Sequence, residues 1–426
     1  METFFWGLLL VLLALFGTPL FAIFGAMAML AFHAEGISTS VIMVDLNRIF
    51  TNPTLVAIPL FTFAGYALAA SNAPTRVVNL ARALFGSIPG GLAVVTLVTC
   101  ALFTAFTGAS GVTIIALGGL LYPILLQEQY PEKFTLGLVT TSGSLGLLFP
   151  PSLPLILYAL VSAISVDKLF AAGVVPGFLL LIVLGGFAIQ RGKHYKIPRT
   201  PFKWSTTRSA LRQAVWEIPL PVVIVGGIYS GIFTATEAAA VTAFYVFVVE
   251  FFVYRDLSWK KDLGRVMKDS MLLVGAILMI IGVAMGLTNY LVDQEVPVRL
   301  FEFTKTYISS ATMFLVVLNV FLIIVGMMMD IFSAIIVVVP LIKPIADAYG
   351  IDQIHLGIIF LTNLEIGYLT PPVGLNLFIS SLRFDRPVFT VVRATLPYIG
   401  ILLIALILIT YIPGLSLWLV GALGVK

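Results

Sequence analysis

Residues 104–123 read TAFTGASGVTIIALGGLLYP, and residues 140–159 read TTSGSLGLLFPPSLPLILYA. Both stretches are apolar enough for a lipid bilayer, yet Gly, Ser, Thr and Pro interrupt each of them. A lipid-exposed helix cannot be interrupted in this way, because an unpaired backbone N–H or C=O group in hydrocarbon costs several kcal/mol. Such breaks occur only inside protein or beside a watery cavity. The two breaks therefore predict a functional site within a membrane.

The same pattern returns once, in the second half of the chain. Its only two Pro-Pro pairs, Pro150-Pro151 and Pro371-Pro372, lie 221 positions apart. Gly108 and Gly326 keep nearly the same spacing, 218 positions. A chance alignment of common glycines and prolines is the alternative interpretation. Interrupted segments at matching places in two halves are typical of the binding site of a secondary transporter.

Composition places the protein in the membrane. The chain has 426 residues, of which 60% are hydrophobic and 10% are charged, and its mean hydropathy is +1.09. Successive apolar runs of about 20 residues, the length of a spanning helix, fill nearly the whole sequence. The net charge of +4 does not indicate nucleic-acid binding, because the basic residues cluster in loops that flank the membrane segments. The single Cys100 excludes a disulfide framework.

The recurring landmarks, together with the apolar runs, divide the chain into two repeats, residues 1–190 and 214–426. The first repeat is predicted to contain spans at 3–17, 19–34, 53–70 and 169–189, amphipathic connectors at 41–50 and 75–87, a re-entrant hairpin at 92–126 and a broken helix at 134–162. The second is predicted to contain spans near 215–232, 234–254, up to 290 and 395–411, a connector at 293–305, a hairpin at 312–346 and a broken helix at 354–382.

The linker between the repeats, residues 191–213, is predicted to be a cytoplasmic loop. It contains seven Lys and Arg residues and no acidic residue. Each repeat has five crossings and one hairpin, and an odd number of crossings gives the repeats inverted orientations. Both termini then lie outside, and 18 of the 24 Lys and Arg residues lie inside, as the positive-inside rule expects. The fold class is thus all-α integral membrane with two inverted-topology repeats.

The hairpin tips and the breaks in the crossings are predicted to converge. Free carbonyls and hydroxyls there are hard oxygen ligands for a cation such as sodium, whereas half-helix N-termini favour an anion. Individual Ser and Thr residues could instead hydrogen-bond between helices. The predicted sodium ligands, in two sites, are Gly108, Ser110, Gly111, Ser144, Gly146, Pro150, Gly326, Asp330, Ser333, Gly367, Thr370 and Gly374. The predicted substrate-binding residues are Ser142, Ser152, Tyr158 and Asn376.

Two further carboxylates receive separate interpretations. Glu365 lies five residues before the second break and is interpreted as a supporting residue or a proton site. Glu237 is interpreted as a helix cap, because an acidic residue in a first turn suits the helix dipole. The sequence contains no phosphate-binding Gly-x-x-x-x-Gly-Lys-Ser/Thr motif and no His-Glu-x-x-His motif, so an enzyme is not predicted.

Four motifs resemble the large membrane subunit of tripartite ATP-independent periplasmic (TRAP) transporters: FTGASGVTIIALGGLLYP, SGSLGLLFPPSLPLILYA, GIFTATEAAAV and GYLTPPVGLNLF. The resemblance covers essentially the whole chain. It implies an elevator-type carrier in a bacterial inner membrane, driven by a sodium gradient. It also implies two partners in other chains, a small membrane subunit of four spans and a periplasmic substrate-binding protein.

The resemblance implies an organic acid anion as substrate. Sialic acid is slightly preferred and a C4-dicarboxylate comes next, because the predicted cavity offers hydroxyls but no arginine for a second carboxylate. The alternative is a stand-alone sodium- or proton-coupled carboxylate symporter. An intramembrane enzyme would need a converging acid-base pair, which the sequence does not show.

Overall fold

The computed structural model describes Trp6 and residues 9–10, 12–13, 16–197 and 201–424. The predicted span at 3–17 falls mostly outside the described residues. All regular structure within the described part is helical, which confirms the all-α fold class. Eight of these helices are long and apolar enough to cross a membrane, or up to nine if a pair bent by 44° counts as one span.

Helices of the first half begin and end close to the predicted bounds. They are α1 (Leu20–Ala34), α2 (Val41–Phe50), α3 (Pro53–Ala70), α4 (Ala73–Phe85), α5 (Gly91–Thr107), α6 (Ser110–Gln127), α7 (Glu132–Ser142), α8 (Leu153–Ser162) and α9 (Val166–His194). The pair α5 and α6 occupies the predicted hairpin. Helices α7 and α8, bent by 44° about a break, occupy the predicted broken crossing.

The described part of the second half contains eleven helices. Its helices are α10 (Trp204–Gln213), α11 (Pro219–Tyr229), α12 (Ala235–Val253), α13 (Leu263–Asp293), α14 (Val296–Tyr307), α15 (Ala311–Met328), α16 (Ile331–Ala348), α17 (Gln353–Gly367), α18 (Leu375–Phe384), α19 (Val388–Tyr411) and α20 (Gly414–Ala422). The prediction missed α20 and began α19 seven residues late, at 395.

The predicted loop at 191–213 is largely helical, which corrects the prediction. Helix α9 continues to His194, and its last turn holds Arg191 and Lys193, whose positive charges suit a helix C-terminus. Helix α10 is amphipathic and buries only Thr207 and Ala210. A high density of charge therefore marked exposure here rather than an absence of helix.

Corresponding helices of the two halves keep a nearly constant spacing. Starts of α5 and α15 lie 220 positions apart, those of α6 and α16 lie 221 apart, and those of α8 and α18 lie 222 apart. The sequence paired Gly108 with Gly326, but Gly326 lies inside α15, and the break of the second hairpin is at Met329 and Asp330. Asp330 caps α16 there, so the second tip turns without a glycine.

The helices form two packed groups. The framework group contains α1, α3, α11, α12 and α13. The hairpin group contains α5 to α9 and α15 to α20, in which α7 packs against α19 and α8 against α16, so that it combines both halves of the chain. The two groups meet where α3 contacts α5 and where α13 contacts α16.

A buried charged cluster attaches α4 to the framework group. The Arg76 guanidinium pairs with Glu217, with Asp256 and, at 3.1 Å, with Glu250. It also lies over the Tyr254 ring, 3.7 Å from the centroid. Burial would raise the pKa of Asp256, but hydrogen bonds from Arg76 and Asn72 lower it below its ordinary value. These partners lie 141 to 180 positions from Arg76 along the chain.

Glycine allows the broken crossing to touch the first hairpin. A Cβ atom at Gly146 would lie 2.2 Å from the Ala101 carbonyl oxygen and 2.5 Å from the Ala105 nitrogen, both of them backbone atoms of α5. In the second half a Cβ atom at Gly367 would lie 2.5 Å from the Cα of Gly326. Backbone atoms cannot yield as the end of a flexible side chain can. Each broken crossing thus contacts its hairpin through a glycine.

We predict that Gly146→Ala lowers the midpoint of thermal unfolding by several degrees, because overpacking against rigid backbone typically costs about 1–3 kcal/mol. Unfolding of the detergent-purified protein, followed by tryptophan fluorescence, measures the effect. Gly400→Ala is the matched control, because a Cβ atom there has nothing within 4 Å. Equal midpoints for the two variants would contradict the assigned contact.

Candidate functional site

A cavity of about 430 Å³ lies between the framework group and the hairpin group. Both hairpin tips line it, the first through residues 108–112 and the second through Asp330, Ile331 and Phe332. The unwound crossings contribute Leu147, Tyr368 and Leu375, and the framework contributes Tyr66 and four apolar residues of α13. The structure therefore brings the two tips together around one cavity, as the sequence predicted.

Gly108 forms the turn of the first tip. Its φ is +64°, in the left-handed region that favours glycine, and its N–H donates to the Thr104 carbonyl at 2.8 Å. A Cβ atom there would lie 2.4 Å from Cγ of Leu153. Helix α6 then begins at Ser110, and no side chain caps its N-terminus. The first residues of α6, Ser110 to Val112, thus line the cavity without a side-chain cap.

A group of hydroxyls lies behind this tip. The Thr104 hydroxyl donates to the Gly143 carbonyl at 2.7 Å and lies 2.8 Å from the Thr113 hydroxyl. The Thr107 hydroxyl lies 3.4 Å from that of Thr113. All three threonines are fully buried. Sequence reasoning missed this set, although Thr104 and Thr107 lie one helical turn apart directly before the break.

The second tip has a different arrangement of donors and acceptors. Asp330 caps α16, since its Oδ1 accepts hydrogen bonds from the N–H groups of Phe332 (2.9 Å) and Ser333 (3.0 Å), and its Oδ2 accepts one from the Ser333 hydroxyl. The Tyr368 hydroxyl oxygen accepts the N–H of Ile331 at 2.6 Å. The first turn of α16 is therefore already paired, and it carries a negative charge at the cavity wall.

Backbone contacts attach the second tip to its broken crossing. The Gly374 N–H donates to the Met327 carbonyl at 3.1 Å, and Gly374 has a φ of +51°. Gly326 and Gly367 touch through their backbones. These three predicted residues thus hold the geometry of the tip, although none of them lines the cavity.

Two other predicted sodium ligands, Ser144 and Thr370, hydrogen-bond through their hydroxyls to nearby carbonyls of their own segment. The Ser144 hydroxyl donates to the Thr141 carbonyl at 3.3 Å, and the Thr370 hydroxyl donates to the Ile366 carbonyl at 2.8 Å. Pro150 lies in the break between α7 and α8 and offers only its carbonyl. Gly111 lines the cavity, where Cδ1 of Ile379 would meet an added Cβ atom at 2.7 Å.

The predicted substrate residues fall into two sets. Asn376 lies next to the first tip, where its Oδ1 accepts the Ser110 hydroxyl at 2.7 Å across the two halves, while its Nδ2 makes no hydrogen bond within the described residues. All four residues, Asn376 included, are fully buried, and none of them is among the described residues that line the cavity; Ser142, Ser152 and Tyr158 also do not touch the first tip through a side-chain hydrogen bond. The sequence could not show that these polar residues are interior, because burial depends on how distant helices pack.

The carboxylates of Glu237 and Glu365, which belong to neither predicted set, differ in their hydrogen-bond partners. Glu237 forms a capping box with Thr234, which confirms its interpretation as a helix cap. Glu365 lies inside α17 with 1% of its surface exposed, and neither carboxylate oxygen has a hydrogen-bond partner in the described part of the chain. The structure does not test whether Glu365 is a supporting residue or a proton site, so both interpretations stay predictions.

The chain is similar to known proteins in both sequence and fold. A family model described as "Tripartite ATP-independent periplasmic transporter, DctM component" matches residues 5–415. The chain is 38% identical over 403 residues to the C4-dicarboxylate TRAP transporter large permease protein DctM of Pseudomonas aeruginosa, and the match covers 94% of each chain. It is 32% identical over 367 residues to the ectoine TRAP transporter large permease protein TeaC of Halomonas elongata, covering 86% of each.

A solved structure shares the fold. The crystal structure of the Alcanivorax borkumensis YdaH transporter, described as having an unusual topology, aligns with a TM-score of 0.65 at 12% identity and covers 90% of this chain and 88% of that one. The curated relatives are named as transporter permeases, which agrees with the prediction that the chain is not an enzyme. The family model and these relatives extend over nearly the whole sequence, and the chain therefore belongs to the DctM family, the large membrane permeases of TRAP transporters.

Proposed function

We propose that this permease carries an organic acid anion across the bacterial inner membrane together with sodium ions. The observation that carries the proposal is the cavity between the two helix groups, where an uncapped helix N-terminus faces a tip that holds Asp330. One wall suits an anion and the other a cation. This combination of charges is what coupled transport of a carboxylate and a cation requires.

The anion would bind at the first tip. Unpaired N–H groups at a helix N-terminus and the helix dipole both favour a carboxylate. Ser110 and the adjacent Asn376 add polar groups beside these donors. No Lys or Arg is among the described residues that line the cavity, and a second carboxylate would face Asp330. The chemistry thus favours a substrate that presents one carboxylate, such as sialic acid.

A C4-dicarboxylate is the second candidate. The relative that shares 38% identity with this chain is named for C4-dicarboxylate transport. A second relative is named for ectoine, so related permeases are named for different solutes.

Two sodium sites would lie beside the two tips. The first would use the Gly143 and Ser110 carbonyls with the hydroxyls of Thr104, Thr107 and Thr113, all of them hard oxygen ligands. The second would use Asp330 with main-chain carbonyls near Gly326 and Gly367. The predicted ligands Gly108, Gly146 and Gly374 would act through backbone geometry, since each allows a close approach.

Transport would follow an elevator mechanism between inverted repeats. The constant spacing of helix starts supports the repeats, and the position of the cavity between two separately packed groups supports the movement of one group against the other. The framework wall of the cavity contributes Leu273, Ala276, Ile277 and Ile280. An apolar wall carries few hydrogen bonds that sliding would have to break.

The family's tripartite design gives the permease two partners, a small membrane subunit of four spans and a periplasmic substrate-binding protein. In this arrangement α10 lies in the cytoplasm and both termini lie in the periplasm. A stand-alone symporter is the rival arrangement, and an intramembrane enzyme is the least favoured. The following experiments separate the two transport arrangements.

For the orientation, we predict that Ser205→Cys labels only from the cytoplasmic side and Glu302→Cys only from the periplasmic side. Both positions are exposed, on α10 and α14. The background is Cys100→Ser, which removes the native buried thiol. Labelling of intact cells and of inverted vesicles with a membrane-impermeant maleimide provides the measurement. Labelling of both sites from one side would refute the inverted repeats.

For sodium, we predict that Thr104→Val raises the sodium concentration for half-maximal uptake about tenfold, because one oxygen ligand is lost, which corresponds to about 1.4 kcal/mol. Asp330→Asn keeps a capping side chain and removes the charge, and it should have the same effect. The matched control is Thr96→Val, a buried threonine of the same helix whose hydroxyl donates to the Leu92 carbonyl. Uptake into proteoliposomes is measured over a sodium titration, with both partners present.

Replacement of sodium by choline at constant pH should abolish this uptake. Unchanged uptake in choline would refute sodium coupling. A response of Thr96→Val equal to that of Thr104→Val would refute the first site in particular, because the effect would then follow any lost hydroxyl in α5.

For the substrate, we predict that proteoliposomes take up sialic acid faster than succinate when the binding protein is present, and take up neither at micromolar concentration when it is omitted. Radiolabelled uptake measures both. Asn376→Leu removes the polar group beside the first tip and should slow uptake of either solute. Faster uptake of succinate would mean that the substrate is a C4-dicarboxylate and not sialic acid. Full uptake without the binding protein would favour the stand-alone symporter.

A further inference from the structure

A second cavity lies far from the hairpin tips, between α4 and α10. Its volume is about 450 Å³. Nine of the residues that the structure describes line this cavity, here called the headgroup groove: Asn79, Arg82 and Ala83 of α4, Pro201 and Lys203 of the segment before α10, and Thr206, Ser209, Ala210 and Gln213 of α10. The Thr207 hydroxyl lies 3.4 Å from the Ala83 carbonyl and joins the two helices beside the groove.

The lining of the headgroup groove suits an anion with several oxygens. Among the described residues that line it are two cations, Arg82 and Lys203, and no acidic residue. Arg82 pairs through one terminal nitrogen with Glu128, and 39% of its side chain stays exposed. Thr206 and Ser209 offer hydroxyls, and Asn79 and Gln213 offer amides, all of which can donate to phosphate oxygens. Arg in particular recognises phosphate with several donors at once.

The surface beside the groove is apolar. Phe202 and Trp204, which flank Lys203 in the chain, are 53% and 66% exposed, and Leu84 next to Ala83 is 44% exposed. Aromatic residues in such positions lie at the boundary between lipid headgroups and acyl chains. An anion that enters from water alone would not need this apolar border. A phospholipid would use both surfaces, with its phosphate in the groove and its acyl chains against Phe202, Trp204 and Leu84.

We propose that the headgroup groove binds the phosphate headgroup of an anionic phospholipid. The single negative charge of the bound headgroup offsets Lys203, its phosphate oxygens accept hydrogen bonds from Arg82, which stays paired with Glu128, and the headgroup thereby connects α4 with α10. Helix α4 is fixed to the framework group through Arg76. A lipid bound between α4 and α10 therefore also attaches α10, the helix between the two halves of the chain, to the framework group. The inference does not depend on the transported solute or on sodium.

The test uses the permease purified with its small membrane subunit, stripped of lipid by detergent exchange. Phosphatidylglycerol is titrated in mixed micelles, and binding is followed by native mass spectrometry and by the midpoint of thermal unfolding. Binding of phosphatidylcholine would show that acyl chains are sufficient without a net negative charge. Binding of glycerol 3-phosphate would show that a phosphate group is sufficient without acyl chains. We expect phosphatidylglycerol to bind and to raise the midpoint, while the other two do neither at the same concentration.

Lys203→Gln should weaken phosphatidylglycerol binding about fivefold, and Lys203→Glu should weaken it further, as expected for one basic group at an anionic lipid surface. Lys203 has no ion pair in the described part of the chain, so these changes leave the Arg82 pair intact. The matched control is Lys261→Glu, an exposed lysine outside the groove. Glu128→Gln should not weaken binding, because Arg82 keeps its charge.

Two results would overturn the proposal. Equal weakening by Lys261→Glu and Lys203→Glu would mean that the lipid responds to overall charge and not to the groove. Equal stabilisation by glycerol 3-phosphate would assign the groove to a free phosphate compound rather than to a lipid.

Discussion

The need to pair every backbone polar group in an apolar interior governs this structure. Each helix break frees N–H and C=O groups that no lipid can satisfy. Here the breaks satisfy one another: the Gly143 carbonyl accepts the Thr104 hydroxyl, the Ile331 N–H donates to the Tyr368 hydroxyl oxygen, and the Gly374 N–H donates to the Met327 carbonyl. Each hairpin is therefore held to its broken crossing by the groups that the breaks release.

Close approach follows from this constraint. The hydrogen bonds form only if backbones nearly touch, and the glycines at 146, 326 and 367 permit that contact. Both tips then reach one cavity from two halves of the chain. The tips differ in one respect that matters for function: the first leaves its helix N-terminus without a side-chain cap, whereas Asp330 caps the second. The two hairpin tips thus give one cavity two kinds of wall.

Charge has a different role outside the cavity. Arg76 brings together Glu217, Glu250 and Asp256 at a buried contact between α4 and the framework group. Removal of one partner from a buried cluster leaves uncompensated charge, which typically costs about 3–5 kcal/mol. The cluster therefore fixes α4 in place. One side of α4 thus binds the framework group through Arg76, and its other side forms the headgroup groove with α10.

The sequence by itself determined the membrane class, the bounds of most helices and the positions of the breaks, because hydropathy, Gly108 and the Pro-Pro pairs act locally on the backbone. It did not show that residues 191–194 and 204–213 are helical, since exposed charge is compatible with helix and with loop. Only the tertiary structure decided that Thr104 meets Gly143, that Arg76 meets Glu217 and that Tyr158 lies away from the cavity. These pairings depend on how distant helices pack, and side-chain packing across such separations leaves no periodic trace in one sequence.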